Sequence, residues 1–372
     1  MSEPSPARAR LRRATYPHRP WFNPADVRSL LAATVRDIAQ DAIGPLRAPP
    51  GHGLTASVNP EHMAVLTSAL TAAADGGKHL RARLLLTAWG TLGGADGAPC
   101  APPDTSTVPA DGVPQGRERF RGHADAPTGA SPPPPPARLS YPQAVRLAAA
   151  LELFQVSALI HDDIVDGADT RRGRPAAHRA LGVAVAGYRP RSDAATFGRD
   201  LAILLGDLAL VASERLAHEA LAAAPPKVAQ AILADLDQMR AEVMVGQFLD
   251  TMAPAAPLPP AEAAIDEALG IAVLKAARYS VVFPLLLGAT AAGADDAGRT
   301  ALEDFGAHLG LAFQLRDDIL GVFGDPEAMG KSAIGDLDGA KRTVLAAIAR
   351  RDLPPGRRAR FEELLTSPSA PE

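Results

Sequence analysis

The chain has 372 residues, 47% of them apolar, and carries a formal net charge of −4. This apolar content is enough to bury a sizeable core, which excludes a wholly disordered chain. The charge balance supplies no basic field for wrapping nucleic acid, so we expect no nucleic-acid partner. The single cysteine, Cys100, excludes an internal disulfide and fits a cytoplasmic protein.

Apolar side chains recur at helical spacing through most of the chain, and alternating β-branched runs are scarce. The spacing predicts helices near residues 24–43, 60–74, 78–92, 142–166, 197–222, 226–251, 261–292, 297–323 and 339–350. The longest uncharged apolar stretch, 279–294, is short for a bilayer crossing and contains Pro284, so we expect no stable membrane insertion. The predicted fold class is therefore all-α, a single large helical bundle.

Three segments have the composition of disordered or extended chain. Residues 95–138 are rich in proline and include the run of five prolines at 132–136. Residues 1–20 and 367–372 are expected to be terminal tails. The rest of 21–366 is expected to form one domain, with the proline-rich insert as a solvated spacer.

Two short acidic clusters carry the strongest chemical signal. In the first, Asp162, Asp163 and Asp166 follow an apolar run, and a helix would place Asp162 and Asp166 on one face a turn apart. Neighbouring carboxylates repel each other, so a structural role would be costly without a cation between them, although solvated surface aspartates remain an alternative. The second cluster, Asp317 and Asp318, also follows an apolar helical run. The clusters are expected to form opposing walls of one cavity.

The ligand types indicate which ion such a cavity would hold. Carboxylates without a convergent set of histidines or cysteines are hard oxygen ligands, which favour Mg²⁺ or Mn²⁺ over zinc. Magnesium usually shares its shell with phosphate oxygens, which implies a diphosphate ligand. Any one basic residue could be an ordinary solvated charge, but several lie beside both clusters. They are Lys78, Arg81, Arg171, Arg172, Lys275, Arg278, Lys331, Lys341 and Arg342.

These motifs resemble those of the trans-type isoprenyl diphosphate synthases, also called polyprenyl synthetases. Residues 76–81 (GGKHLR) resemble that family's GGKxxR element. Residues 161–166 with 171–173 resemble its first aspartate-rich motif, and residues 313–318 with 330–331 resemble its second. The order and spacing are specific and cover most of the chain outside the insert. The resemblance implies the isoprenoid synthase type of bundle, built around a central apolar cavity.

The resemblance also implies a role for each matching residue. The diphosphate of isopentenyl diphosphate would be bound by Lys78, Arg81, Gln155 and Arg172. The allylic diphosphate would be bound by Arg171, Lys275 and Lys331. It would share Mg²⁺ with Asp162, Asp166 and Asp317, with Asp250 and Gln247 around that metal cluster. The catalytic set is completed by Asp163, Asp318 and Gln314 beside the reacting groups.

The implied reaction ionises the allylic carbon–oxygen bond, lets the isopentenyl double bond attack the cation, and releases a proton. The hydrocarbon tail needs an apolar cavity that excludes water. Ser157 and Ala158, just before the first motif, are small, and Phe154 one turn further back is the candidate floor. A product longer than fifteen carbons is therefore expected, with geranylgeranyl diphosphate the leading candidate. An apolar helical face left over by one bundle would favour a homodimer.

Three alternatives remain open. A class I terpene cyclase also ionises an allylic diphosphate, but it would not need Lys78 and Arg81 and would carry a different second metal motif. A metal-dependent phosphohydrolase of the His-Asp type would use His161 and Asp162, yet its further histidines are not evident. A non-catalytic subunit that adjusts a related synthase is motivated by Gly321 and Ala276, which depart from the family pattern, as does Ala340.

Overall fold

The structure, a computed structural model, describes residues 24–41, 59–93, 138–188, 192–324 and 341–366, with side chains in the first range described up to Thr34. The expected tails, residues 95–137 of the proline-rich insert, and Lys331 lie outside these ranges. The Arg138 guanidinium donates to the backbone oxygen of Gly93. The last described residue before the insert is therefore in direct contact with the residue that ends it.

The described part of the chain is almost entirely helical, which confirms the predicted fold class. Its helices are α1 Pro24–Asp41, α2 Pro60–Ala74, α3 Leu80–Thr91, α4 Tyr141–Val165, α5 Ala177–Ala184, α6 Ala194–Leu221, α7 Pro226–Met252, α8 Ala261–Ala272, α9 Phe283–Ala292, α10 Asp296–Phe323, α11 Val344–Asp352 and α12 Pro355–Thr366. A 3₁₀ turn, Ala253–Ala255, follows α7, and a π-helix, Val273–Val282, joins α8 to α9.

Three features differ from the sequence-based expectation. The short helix α5 and the C-terminal helix α12 were not predicted, and α11 begins later than expected. The long helix expected over 261–292 is interrupted by the π-helix directly before Pro284. Because proline has no N–H to donate, it interrupts the regular α-helical hydrogen bonding at this point.

A two-stranded antiparallel hairpin, β1 Thr170–Arg171 and β2 Arg174–Pro175, was also not predicted. Its two loop residues, Arg172 and Gly173, have φ values of 55° and 72°. Two successive positive φ values are typical of the tight hairpin turns that match the twist of the strands. Arginine rarely adopts this conformation, so the sequence lacked the usual Asn-Gly signal.

Helix α4 forms the centre of the bundle. Its apolar residues lie on all sides, as expected for a helix that is surrounded by others. It packs mainly against α6 and α3, and Leu147, Leu151 and Leu153 are almost fully buried. The first acidic cluster lies at the C-terminal end of this helix. The core therefore fixes the position of those aspartates.

Within the described ranges, two helical segments are long and apolar enough to pass a length-and-composition test for membrane spans: Tyr141–Val165 and Ala261–Ala292. However, 72% and 56% of their apolar windows are buried inside the fold. Burial of this kind is typical of core helices, so the two segments are weak evidence for a membrane span.

Candidate active site

An acid–base network surrounds the C-terminal end of α4. Arg171, in the hairpin, donates from Nε to Asp163 Oδ1 over 2.7 Å and from Nη2 to Asp162 Oδ2 over 3.1 Å. Burial opposes its charge, but the bond to Asp163 and the nearby carboxylates keep the Arg171 pKa above its ordinary value. Arg171 therefore remains charged and holds the hairpin against α4.

Two lysines from other elements complete this network. Lys275 of the π-helix has its Nζ 2.5 Å from Asp250 Oδ2 of α7 and 3.7 Å from Asp162 Oδ1. Lys341, just before α11, donates to Asp166 Oδ2 over 2.7 Å. The structure thus brings Asp162, Asp166, Asp250, Lys275 and Arg171 together, as the motifs indicated. It adds Lys341, which was only one of several candidate cations in the sequence.

Two polar atoms in this cluster are buried without a hydrogen-bond partner: Asp162 Oδ1 and Gln247 Nε2. Leaving such atoms without a hydrogen bond costs about 1–3 kcal/mol each, so both atoms are candidate ligand contacts. A buried carboxylate oxygen that accepts no hydrogen bond suits a hard divalent cation, and an amide N–H suits a phosphate oxygen. The residues present therefore fit a magnesium–diphosphate ligand.

The described residues do not form a complete protein cage for such an ion. No three acidic, histidine or cysteine side chains within them converge closely enough to hold a metal. Instead, basic side chains lie between the aspartates. This arrangement is consistent with magnesium taking part of its coordination from phosphate oxygens.

The turn before α3 presents a second group of cations. Gly76 and Gly77 have φ values of 85° and 91°, and His79 also lies in the left-handed region at 47°. An added Cβ at Gly77 would lie 2.8 Å from Arg172 Nη2, so the bare backbone lets the two motifs approach each other. Lys78 is exposed beside this contact. Backbone strain in non-glycine residues tends to occur at ligand sites, and both His79 and Arg172 show it.

Buried polar contacts fix this turn to the core. Glu152 of α4 accepts from His79 Nδ1 over 3.0 Å and from the backbone N–H of Ala82 over 3.1 Å. Arg81 Nη2 donates to Ser280 Oγ over 2.7 Å. The guanidinium of Arg81 also lies 4.1 Å from the ring centre of Tyr279, within range of a cation–π interaction.

Gln155 lies beside this second group, because its Oε1 accepts from the Tyr279 hydroxyl over 2.6 Å. Burial raises the pKa of Tyr279 far above its ordinary value, so the phenol keeps the proton that it donates. The structure therefore places Arg81 and Gln155 against Tyr279, and Arg172 beside the glycine turn, whereas their expected role in binding isopentenyl diphosphate stays a prediction. Glu152, Tyr279 and Ser280 were missed, because the sequence alone does not show that α3, α4 and the π-helix meet here.

The second acidic cluster lies on α10, which packs along the π-helix. Asp317 is exposed, whereas Asp318 is buried and accepts from Gln314 Nε2 over 2.7 Å. Among the described residues, no ion pair joins Asp317 to the first cluster. Its expected role as a metal ligand therefore stays a prediction.

The basic residues beside the clusters do not all face the site. Arg278 donates to Glu242 over 2.6 Å and lies near Glu303, and Arg342 donates to backbone oxygens around the 3₁₀ turn. Arg278 therefore joins the π-helix to α7 and α10, and Arg342 joins the segment before α11 to the 3₁₀ turn. His161 packs against Gly206 of α6 and lies 3.4 Å from Asp207, which supports a packing role.

The candidate length-determining residues lie on α4 below the aspartates. Phe154 and Ser157 are buried, and Ala158 is half-buried. Two described cavities lie elsewhere: one is lined by α8, α11 and α12, and the other lies beside α2. The aspartate cluster is instead filled by its own lysines and arginine, which would have to move when a diphosphate enters.

A model of the polyprenyl synthetase family matches residues 137–372, which is more than half of the chain. The chain belongs to the polyprenyl synthetase family. This membership confirms the resemblance and leaves the cyclase and phosphohydrolase alternatives without support. The match begins at the end of the insert, so it contains both aspartate clusters but not the GGKHLR turn.

Curated relatives include a geranylgeranyl diphosphate synthase of Mycobacterium tuberculosis, 36% identical over 56% of this chain and 53% of that protein. A farnesyl diphosphate synthase of Mycobacterium bovis is 34% identical over 53% of this chain and 48% of that protein. The matched part of the chain thus spans about half the length of these relatives.

Among solved structures, a geranylgeranyl pyrophosphate synthase of Corynebacterium glutamicum, complexed with isoprenyl diphosphate and magnesium, has a TM-score of 0.67. It is 28% identical, and the similarity covers 94% of this chain and 84% of that one. This similarity in fold extends well beyond the segment that the family model matches.

Proposed function

We propose that this polyprenyl synthetase family member is a magnesium-dependent prenyltransferase that condenses isopentenyl diphosphate with an allylic diphosphate. The observation that carries the proposal is the network around Asp162. Carboxylates of α4 and α7 form ion pairs there with basic groups from the hairpin, the π-helix and the segment before α11, and Asp162 Oδ1, 3.7 Å from Lys275 Nζ, accepts no hydrogen bond. Such a site attracts both a divalent cation and a diphosphate.

Two separate groups of residues would bind the two diphosphates. Arg171, Lys275 and Lys341 would move from the aspartates onto the oxygens of the allylic diphosphate, with Lys331 as a further candidate. Asp162, Asp166, Asp250 and Asp317 would hold magnesium, which neutralises charge on the departing diphosphate. Lys78, Arg81, Arg172 and Gln155 would orient isopentenyl diphosphate, and Gln247 Nε2 would donate to a phosphate oxygen.

Charge stabilisation is the main contribution of these side chains. Negative charge grows on the allylic oxygens as the carbon–oxygen bond breaks, and fixed donors stabilise it by about 3 kcal/mol each in comparable sites. The isopentenyl double bond then attacks the allylic carbon, and the departing diphosphate accepts the released proton. Gln314, half-buried on α10, would lie beside the reacting groups.

The test is condensation by the purified chain with labelled isopentenyl diphosphate, a series of allylic primers and magnesium. We expect elongation that stops when the metal is chelated. Asp162→Asn should lower turnover by at least 10²-fold, the loss typical of one removed transition-state contact. Asp200→Asn, on the exposed surface of α6, is the matched control. Full turnover in Asp162→Asn with an unchanged circular dichroism signal would contradict the metal assignment.

The same assay addresses the non-catalytic subunit alternative. Gly321, buried on α10, and Ala276, in the π-helix, are the departures that favour it. If the chain alone elongates no primer but changes the product of an active synthase, the subunit function replaces the enzymatic one. Retention of both aspartate pairs and of the basic network favours the enzyme.

We propose geranylgeranyl diphosphate as the product, because the small side chains of Ser157 and Ala158 would not block a hydrocarbon tail that extends along α4 from Asp162. Each further five-carbon unit gains about 4 kcal/mol on burial, so a steric barrier is needed to stop growth. Ser157→Phe should therefore shift the products toward shorter chains, as measured by chromatography of the dephosphorylated alcohols. Ser140→Phe, at the exposed start of α4, is the control. An unchanged length profile in Ser157→Phe would remove Ser157 from the channel.

We also propose a cytoplasmic homodimer. Apolar side chains remain exposed along the C-terminal half of α7, including Val245, Phe248 and Met252. A second copy that covers such side chains would remove them from water. Sedimentation equilibrium tests this: a mass of one chain at micromolar concentration contradicts the dimer.

A further inference from the structure

An aromatic pair joins α4 to the π-helix next to Arg81. Phe154 of α4 meets Tyr279 of the π-helix edge to face, with ring centres 5.5 Å apart at 78°. Arg81 covers Tyr279 from the diphosphate side. Tyr279 is fixed by its bond to Gln155, so Phe154 has a rigid neighbour on this side.

A second neighbour of Phe154 is a buried charge. The Arg240 guanidinium of α7 lies 6.0 Å from the Phe154 ring centre, and Arg240 is only 9% exposed. Its Nη1 forms a 2.9 Å ion pair with Glu214 of α6 and lies 3.5 Å from Asp237. Its Nε is buried without a hydrogen-bond partner. The side chain therefore bridges α7 and α6 behind Phe154.

A buried arginine is an unusual choice for a position that needs only packing. An apolar pair of similar volume often stabilises a fold as well as a buried ion pair does. A growing hydrocarbon tail could displace a soft apolar side chain, whereas displacing Arg240 would separate it from Glu214 and place alkyl groups against a charge. Such contact is unfavourable because the charge then has neither water nor a counter-ion.

Phe154 lies eight residues before Asp162, which corresponds to about 12 Å along the axis of α4. A tail anchored by its diphosphate at Asp162 and extended along this helix would therefore approach Phe154. A tail that passed the ring would then come close to Arg240, whose guanidinium lies 6.0 Å from the ring centre. Its position next to Phe154 and its positive charge together would make Arg240 a barrier to the tail.

We infer that Arg240 is a specificity-determining residue that limits product length from behind Phe154. The inference rests on the proposed function, because it concerns the tail of the elongated product. Phe154 supplies the steric stop, and Arg240 prevents the tail from passing once the ring is small or turned aside.

The test compares the products of four chains: the unmodified one, Phe154→Ala, Arg240→Met, and the double variant. Methionine is apolar, unbranched and adaptable in packing, and Glu214 is partly exposed, so it can be solvated when Arg240 is absent. We expect Phe154→Ala to lengthen the product by at most one five-carbon unit. The double variant should exceed it by at least one further unit, and Arg240→Met alone should keep the rate of the first condensation.

Three controls make the outcome decisive. Arg240→Lys keeps the positive charge and should keep the product length, in the Phe154→Ala background as well. Arg240→Gln provides a second neutral side chain if Arg240→Met does not fold, and should also release the limit. Arg360→Met removes an exposed arginine of α12 and should change nothing.

Equal product lengths in Phe154→Ala and in the folded double variants would overturn the inference while leaving the enzymatic function intact. Longer products from Arg240→Lys would overturn it as well, because the charge would then be irrelevant. If the unmodified chain condenses no primer, the proposed function itself fails, and the inference fails with it. Product chromatography with an internal length standard separates these results.

Discussion

The lack of a side chain at Gly77 leaves space for the guanidinium of Arg172. Gly76 and Gly77 both have positive φ, so alanine would be strained at either position by about 1–2 kcal/mol. Only the Cβ of Gly77→Ala would collide with a guanidinium, that of Arg172, whose nitrogen is 2.8 Å from the built position. The end of an arginine side chain moves easily. The collision should therefore displace Arg172 rather than unfold the turn.

We accordingly expect Gly77→Ala and Gly76→Ala to lose similar stability but to differ in substrate binding. Gly77→Ala should raise the KM for isopentenyl diphosphate about tenfold, the effect of weakening one charge-assisted hydrogen bond. Gly76→Ala should leave that KM nearly unchanged. Steady-state kinetics with thermal unfolding as the reference measures both quantities. Equal KM values in the two variants would show that Arg172 does not touch this substrate.

Two elements come into close backbone contact where α7 crosses the π-helix. A Cβ at Gly246 would lie 2.4 Å from the backbone nitrogen of Lys275, so the two backbones touch. Gly246→Ala should push the π-helix away and separate Lys275 from Asp250, at a cost of about 1–3 kcal/mol from overpacking. Urea unfolding checks the stability, and turnover should fall with it.

The matched control is Gly270→Ala in α8, where an added Cβ meets nothing within 4 Å. Alanine favours the helix over glycine by about 1 kcal/mol, so this variant should gain stability. If Gly246→Ala is as stable as the unmodified chain, the close crossing of α7 and the π-helix does not exist in solution.

Helical periodicity located most elements because long amphipathic or apolar runs fix the type of structure. It missed α5, only eight residues long, and α12, whose exposed surface is mostly charged. Both aspartate clusters were visible as motifs. The partners Glu152 and Tyr279 were not, and Lys341 was visible only as one of several candidate cations. Their roles depend on which helices cross, and this is set by packing across the whole bundle.

The stability of the whole molecule should depend on pH through a buried histidine. His178 of α5 is almost fully buried, and its Nδ1 has no hydrogen-bond partner. Burial, together with Arg179 and Arg199, lowers the His178 pKa below 6.5, although Asp163 and Asp169 oppose this. The unfolded chain takes up the proton at about pH 6.5 and the folded chain only at lower pH. The contribution of His178 is therefore present above pH 6.5 and is lost as the pH falls below it.

We expect the free energy of unfolding to decrease between pH 7 and pH 5.5, and to decrease less in His178→Gln. His218→Gln removes an exposed histidine of α6 and should retain the full decrease. Urea titrations across this range measure the slopes. Identical slopes in all three chains would mean that His178 does not control the acid sensitivity of the fold.

The π-helix has a genetic consequence. Its hydrogen bonds span five residues instead of four, so loss of a single codon between Lys275 and Tyr279 would let the segment close into an ordinary α-helix. One residue corresponds to about 100° of rotation around a helix axis. An in-frame deletion there would turn Lys275 away from Asp250 while Tyr279 kept its place, although every functional side chain would still be encoded. The number of residues in the π-helix therefore determines the direction of Lys275 as much as their identity does.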